Sequence, residues 1–120
     1  MATTSRRLIV DGMNVIGSRP DGWWRDRRGA MQRLVDSLAR VDDYDPVVVV
    51  LDGKPSDLSG DGVEVRFASR RGPNAADDDI AAMAGEGDTV VTSDAELERR
   101  VRSKGADVIG AGAFRRRLDE

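Results

Sequence analysis

The chain has 120 residues, of which 39% are hydrophobic and 34% are charged, and its formal net charge is −3. This length and composition predict a single domain, residues 1–120, with one hydrophobic core. No run approaches the roughly 18 apolar residues of a transmembrane span and no signal-peptide pattern opens the chain, so we expect a cytoplasmic protein with no membrane partner.

Two residue types are missing, and their absence excludes several classes of catalytic site. Without histidine, the chain cannot build a Ser-His-Asp triad, a Cys-His pair or a histidine-based zinc site. Without cysteine, it has no disulfide and no thiol nucleophile. Any hydrolytic chemistry must therefore depend on carboxylates, hydroxyls, arginines or a metal ion held by oxygen.

The first predicted strand ends on a carboxylate that a glycine follows. Residues 7–11 read Arg-Leu-Ile-Val-Asp, and the next three residues, Gly12-Met13-Asn14, predict a turn. A loop extends from there to about Asp26. A helix is predicted over about residues 27–41, because its apolar residues recur at three- and four-residue steps.

Two further strands lie in the middle of the chain. Residues 47–51 form a continuous apolar run that indicates burial on both faces, and Asp52 follows it. Residues 63–67 alternate apolar with charged side chains, which predicts a strand at the edge of the sheet. After a loop, a helix is predicted from about Asn74 to about Ala84.

The last part of the chain repeats this order with shorter elements. A strand begins at Thr89 and ends at Asp94, a helix to about Lys104 follows, and residues 107–109 form a short strand. The tail, residues 110–120, is long enough for one or two helical turns. Strands thus alternate with helices, which predicts an α/β fold with a parallel sheet.

Three predicted strands end on an aspartate, namely Asp11, Asp52 and Asp94. In an open parallel sheet, ligands bind outside the carboxyl ends of the strands, so we expect these side chains to face a crevice. For Asp11 and Asp52, each followed by glycine, a structural role in a turn is an equal alternative. For Asp94 the alternative is a helix cap, but Ser93 and Glu96 form a capping-box pattern that leaves Asp94 free.

A fourth carboxylate comes from the run Asp77-Asp78-Asp79 at the start of a predicted helix. Consecutive helical residues point about 100° apart, so at most two of them can face one crevice. The spacing places Asp77 nearest the sheet and leaves Asp79 solvated, while Asp78 stays an alternative to Asp77. The structural interpretation is that Asn74 caps the helix and the acids stabilise its first turn.

Four converging carboxylates without a histidine or lysine partner repel one another. At an effective dielectric constant near 20, two like charges 4 Å apart cost on the order of 4 kcal/mol. A cation must neutralise such a cluster, and a site made only of oxygen ligands favours Mg²⁺ or Mn²⁺. These ions lower the pKa of a bound water and stabilise a phosphodiester during hydrolysis, so the pattern indicates that chemistry.

Four stretches of the chain together resemble a YacP-like NYN domain of the PIN-like ribonuclease superfamily. In the order of the family, they are Val10–Asn14, Val49–Gly53, Asn74–Asp78 and Val91–Asp94. The similarity spans about residues 6–118. It implies a PIN-like three-layer α/β/α sandwich with a central, mostly parallel five-stranded sheet in the strand order 3-2-1-4-5.

The resemblance also implies an endoribonuclease with an acidic site that depends on Mg²⁺ or Mn²⁺. By position, Asp11, Asp77 and Asp94 match the catalytic acidic residues. The implied metal ligands are Asp11, Asp52, Asp94 and either Asp77 or Asp78. Asn14 matches the asparagine of the first motif and is a candidate substrate contact, with stabilisation of the loop as the equal alternative.

Arginines and aromatic residues form a candidate rim for single-stranded RNA, because arginine binds phosphate through two hydrogen bonds and aromatic rings stack on unpaired bases. The candidate substrate-binding arginines are Arg70, Arg71, Arg115, Arg116 and Arg117. A second group, Arg25, Arg27 and Arg28, follows the pair Trp23-Trp24. The alternative is that the arginines are solvated and that the tryptophans pack the loop onto the core.

These observations are compatible with three functions. The first is a metal-dependent endoribonuclease acting on RNA, with association with the ribosome as an open question. The second is a non-catalytic RNA-binding PIN-like module that acts through a partner. The third is a phosphotransfer receiver-like domain, which needs a lysine near the phosphoacceptor. The candidates for that lysine are Lys54 and Lys104, and neither follows a late strand as the third function requires.

Overall fold

A five-stranded sheet forms the centre of the computed structural model, which describes residues 6–72 and 74–120. The strands are β1 (Leu8–Asp11), β2 (Val47–Leu51), β3 (Val63–Phe67), β4 (Thr89–Val91) and β5 (Asp107–Ile109). Every pairing between them is parallel, and the order across the sheet is β3-β2-β1-β4-β5. The predicted strand order is therefore confirmed.

Helices cover both faces of this sheet. They are α1 (Gly12–Ile16), α2 (Arg27–Leu38), α3 (Ala75–Met83), α4 (Ala95–Arg102) and α5 (Ala111–Leu118), with a 3₁₀ turn at Trp23–Arg25. Side chains of α1, α2 and α5 form the core on one face, and side chains of α3 and α4 form the core on the other. The α/β/α layering is confirmed. None of the described helices has the length and apolar character needed to span a membrane.

Two helix boundaries differ from the prediction. Residues 12–14 begin α1 instead of forming a turn, and the backbone N–H of Gly17 donates to Met13 O at 2.8 Å. The helix α2 ends at Leu38, short of the expected end near Val41. There, N–H groups bond to carbonyls three residues earlier, as when Val41 N donates to Leu38 O at 3.0 Å, and such bonds tighten and end a last helical turn.

The alternation of side chains along β1 determines where its terminal carboxylate points. Leu8 and Val10 lie in the core beneath α2 and α5, whereas Ile9 lies in the core beneath α3 and α4. Asp11 comes two residues after Ile9, so its side chain projects toward α3 and α4. The strand order reverses at β1, which has β2 on one side and β4 on the other, and ligand crevices form at such reversals.

Gly12 makes the close packing between α1 and β2 possible. A Cβ atom at this position would lie 2.4 Å from Leu51 Cδ2 and 3.0 Å from the backbone oxygen of Val50. We therefore expect Gly12→Ala to lower the free energy of unfolding by about 1–3 kcal/mol, as overpacking of a core does. Urea unfolding followed by circular dichroism measures this change.

The matched control for this prediction is Gly85→Ala. No atom lies within 4 Å of the Cβ that this substitution would add, and the backbone there is outside the left-handed region. Its free energy of unfolding should stay within about 0.5 kcal/mol of the parent value. Equal stability of the two variants would contradict the packing argument.

Candidate active site

Asp11 is the most buried carboxylate of the crevice, with 4% of its surface exposed. The hydroxyl of Thr92 donates to its Oδ2 at 2.9 Å, and no described residue donates to Oδ1. Burial is the main cause that raises the pKa of Asp11 to about 7. The hydrogen bond from Thr92 opposes this rise, and the negative charges of Asp77, Asp52 and Asp94 add to it. Asp11 is thus a buried carboxyl group surrounded by negatively charged side chains.

The three carboxylates that act on Asp11 come from three other parts of the chain. Asp52 directly follows β2, Asp77 lies in the first turn of α3, and Asp94 precedes α4. The pKa of Asp77 is also raised, first by burial and then by the charges of Asp94 and Asp52. The fold therefore brings four of the predicted carboxylates together at the carboxyl ends of the strands.

The start of α4 corrects the prediction that Ser93 caps this helix. Asp94 is the cap, because its Oδ1 accepts a hydrogen bond of 3.0 Å from the backbone N–H of Leu97. The Ser93 hydroxyl instead accepts a hydrogen bond of 2.8 Å from the N–H of Ala111. Serine and aspartate are equally good caps, so the sequence pattern could not choose between them. Capping uses Oδ1 of Asp94 and leaves Oδ2 for the crevice.

Thr92 connects two of the carboxylates, and no motif of the sequence points to it. Its side chain is 1% exposed, and its hydroxyl both donates to Asp11 and accepts from the N–H of Asp94 at 3.1 Å. The signal that could have identified Thr92 is the pairing of β1 with β4, since both strands lead to an aspartate. Val10 pairs with Val91, so Thr92 falls beside Asp11. One hydroxyl therefore fixes the position of the Asp11 carboxylate relative to the start of α4.

Asp78 points away from the other carboxylates and toward two arginines. Arg100 donates to its Oδ1 at 2.8 Å, and Arg70 forms a second ion pair with its Oδ2. Hydrogen bonds from Arg100 and Arg70 hold the pKa of Asp78 below its usual range. Of the two alternatives for the crevice, this geometry favours Asp77.

Asp79 has a structural partner, which corrects the expectation that it is merely solvated. Its two carboxylate oxygens accept hydrogen bonds from the N–H and the hydroxyl of Ser69, at 2.6 and 2.7 Å. Asn74 does not cap α3 with its side chain; it has a left-handed backbone with φ of 64°. Asp79 therefore anchors the loop between β3 and α3.

The side chain of Asn14 joins α1 to the segment between β4 and α4. Its Oδ1 accepts a hydrogen bond of 2.8 Å from the N–H of Ser93. This contact corresponds to the loop-stabilising alternative for Asn14. A contact between the Asn14 amide and substrate stays a prediction.

The oxygen atoms of Asp11, Asp52, Asp77 and Asp94 are the candidate ligands of a divalent ion. Within residues 6–72 and 74–120, no three acidic side chains stand close enough to enclose a metal ion as they are placed. Mg²⁺ needs no such cage, because it binds through one or two carboxylates and keeps several waters. None of the four crevice carboxylates forms an ion pair with a described residue. Oxygen donors with excess negative charge therefore fit a hydrated Mg²⁺ or Mn²⁺.

The arginines of the tail are partly engaged in contacts within the fold. Arg115 lies 3.3 Å from Asp21, and Arg117 pairs with Asp43 in the segment that precedes β2. Because that segment leads to the amino end of β2, Arg117 is at the edge opposite the crevice. Arg116 is exposed and has no ion pair with a described residue. The tail thus does not bring its three arginines together at the carboxylates.

The two tryptophans have different environments. Their rings meet edge to face, with centroids 5.9 Å apart. Trp23 packs against the core, and the guanidinium of Arg27 lies 5.6 Å from the centre of its ring. Trp24 is 52% exposed. The packing alternative therefore describes Trp23, while stacking of Trp24 on a base stays a prediction.

Comparison with known proteins agrees with this architecture. A family model described as the YacP-like NYN domain matches residues 8–120. A crystal structure of a mutant of Rae1 (YacP) from Bacillus subtilis is similar, with 26% identity and a TM-score of 0.74 over 95% of this chain and 75% of that one. A second crystal structure of Rae1 gives 26% identity and a TM-score of 0.73 over 93% and 72%. A search of curated proteins gave no match.

Proposed function

The chain belongs to the YacP-like NYN domain family, and from this premise we propose that it is an endoribonuclease that hydrolyses RNA with Mg²⁺ or Mn²⁺. One observation carries the proposal. The buried carboxylate of Asp11 lies among three others, and no cation is paired with any of the four in the described residues. Such an arrangement is costly unless a divalent ion occupies it.

Each carboxylate has its own part in the proposed reaction. Asp11, Asp52, Asp77 and Asp94 would hold a hydrated ion, one or two of them directly and the others through its bound waters. When bound, it lowers the pKa of a water molecule and stabilises negative charge on the phosphate. Asp77, half-buried in the first turn of α3, would accept the proton of the attacking water. Thr92 positions Asp11 by hydrogen bonding.

The experiment that tests this proposal is cleavage of a labelled single-stranded RNA oligomer. We expect product bands with Mg²⁺ or Mn²⁺ and none with EDTA, and a DNA oligomer of the same sequence reports whether the sugar matters. Binding is measured in the same buffers by gel shift. RNA that is bound but not cut with either metal would instead support the non-catalytic RNA-binding alternative.

Thr92→Val tests the positioning of Asp11. Valine has nearly the shape of threonine but lacks the hydroxyl, so Asp11 loses a donor and the N–H of Asp94 loses an acceptor. We expect cleavage to fall about 10- to 100-fold, the size of effect seen when a group that orients a metal ligand is removed. The free energy of unfolding should fall by about 1–3 kcal/mol.

Thr92→Ser is the control, because serine keeps the hydroxyl. It should retain most of the cleavage activity. If Thr92→Val were less stable but cleaved RNA at the parent rate, Asp11 would not need this hydrogen bond for its function.

A further inference from the structure

A second cleft lies next to the acidic crevice and has the opposite charge. Its volume is about 450 Å³. It is lined by the segment after β2 and by the loop between β3 and α3, with the residues Asp52, Gly53, Lys54, Arg70, Arg71 and Gly72. Asp52 belongs to both the cleft and the group of four carboxylates, so the cleft opens directly beside the proposed metal site.

The positive charges of this cleft are largely available to a ligand. Lys54 and Arg71 are exposed, and neither forms an ion pair with any residue in the described ranges. Arg70 is paired with Asp78, but Asp78 is shared with Arg100 at 2.8 Å. One carboxylate thus serves two guanidinium groups, and the cleft keeps a surplus of positive charge.

The loop that carries the two arginines is held in place by the fold. The N–H of Ala68 donates to the backbone oxygen of Leu51 at 2.8 Å, which ties the loop to β2. Ser69 is bound through its N–H and its hydroxyl to the carboxylate of Asp79, which ties the loop to α3. Both anchors lie directly before Arg70, so they fix the point at which the loop enters the cleft and reduce the entropy lost when Arg70 and Arg71 bind an anion.

We propose that the cleft of Lys54, Arg70 and Arg71 binds an internal phosphodiester of the RNA strand that flanks the phosphate being hydrolysed. The inference rests on the proposed function and adds a substrate subsite to it. Arginine and lysine bind phosphate independently of base identity, so this subsite positions the strand without reading its sequence. The acidic crevice repels the RNA backbone when no metal is bound, and the adjacent cleft provides the compensating attraction.

The test is equilibrium binding of a fluorescein-labelled single-stranded RNA without terminal phosphates, measured by anisotropy at several salt concentrations. Ca²⁺ replaces Mg²⁺, and a gel verifies that the RNA stays intact. The double variant Lys54→Gln/Arg71→Gln should bind about tenfold more weakly at low salt. The slope of log affinity against log salt should become shallower by about 0.7 for each phosphate contact that is lost.

The matched control is the double variant Arg33→Gln/Arg40→Gln. Both arginines are exposed, have no ion pair with a described residue, and lie on or just after α2, away from the cleft. The net charge changes by the same amount, so an effect of overall charge would appear in both variants. Thermal melts verify that both variants are folded.

The outcomes separate this inference from the proposed function. A weaker affinity and a shallower slope in the cleft variant alone support the subsite, whether or not the parent protein cleaves RNA. Equal losses in both variants, or an unchanged slope in the cleft variant, overturn it. A parent protein that binds RNA through the cleft but does not cleave it with Mg²⁺ or Mn²⁺ contradicts the ribonuclease proposal alone.

Discussion

Replacing Asp11 with asparagine is expected to lower metal-dependent RNA cleavage on the order of 100-fold or more while the protein stays folded. Asparagine keeps the shape of the side chain and can still accept the hydrogen bond from Thr92, but it removes one negative charge from the proposed metal site. Electrostatic stabilisation by a metal ion contributes several kcal/mol to such reactions, and 2.7 kcal/mol corresponds to about 100-fold. Initial rates with a labelled RNA oligomer measure the effect.

The matched control carries the same substitution outside the crevice. Asp61 is exposed and has no ion pair with a described residue, so Asp61→Asn should cleave RNA at the parent rate. Calorimetric titration with Mn²⁺ should show weaker binding only in the Asp11 variant. If Asp11→Asn left both cleavage and Mn²⁺ binding unchanged, Asp11 would have only a structural role and the ribonuclease proposal would fail at this site.

In the metal-free protein, Asp11 should lower the free energy of unfolding as pH rises. Most carboxylates in folded proteins have the opposite effect. Burial, with added repulsion from nearby acids, raises the pKa of Asp11 from 3.8 to about 7, so the folded state binds this proton more tightly than the unfolded state does. The contribution of Asp11 to the free energy of unfolding therefore falls as pH rises from about 4 through about 7. The shift corresponds to about 4 kcal/mol, lost in full above pH 7.

Comparison with Asp11→Asn isolates this contribution from those of other titrating groups. In EDTA at pH 8, the variant should be more stable than the parent by up to about 4 kcal/mol, and the difference should shrink toward zero near pH 4. Urea unfolding at pH 4, 6 and 8 measures it. A difference that did not change with pH would show that Asp11 has the same pKa in the folded and unfolded states.

Addition of Mn²⁺ should restore the stability that the parent protein loses as pH rises. Metal ligands must be deprotonated, so Mn²⁺ should stabilise the parent at pH 8 and have little effect below about pH 6. At a free concentration 100 times the dissociation constant, the gain is about 2.7 kcal/mol. The Asp11→Asn variant should gain less, because its remaining carboxylates bind the ion more weakly.

The strands show how far local patterns determine this fold. The predicted bounds of β3 and β5 agree with the structure, β2 ends one residue before the predicted Asp52, and β4 ends at Val91 instead of at the predicted Asp94. Buried apolar runs and alternating edge strands leave clear signals in the sequence. The helix α1 was missed, since five residues cannot show a helical period. It is stabilised by the burial of Val15 and Ile16 against the rest of the fold, which is a tertiary effect.

For the carboxylates of the site, the sequence predicts their positions in the chain, whereas tertiary contacts determine their orientations. Three of them lie at or after the ends of β1, β2 and β4, as the sequence predicts, and the resemblance to the family gives the same residues. The orientations of Asp11 and Asp78 depend on partners that are distant in the chain. Asp78 is drawn to Arg100, 22 residues away, and Thr92 meets Asp11 across 81 residues. No local pattern contains these pairings.

By itself, the sequence determined the alternation of strands and helices, the absence of histidine and thiol chemistry, and the carboxylates at the strand ends. Only the tertiary structure decided that Asp77 faces the other acids while Asp78 pairs with arginines, that Asp94 caps α4, and that the arginines separate into a cleft and a tail. The physical reason is that residue type and spacing fix local backbone preferences. The burial of Asp11, its raised pKa and the ion pairs of Asp78 arise only when packing brings distant segments within a few ångströms.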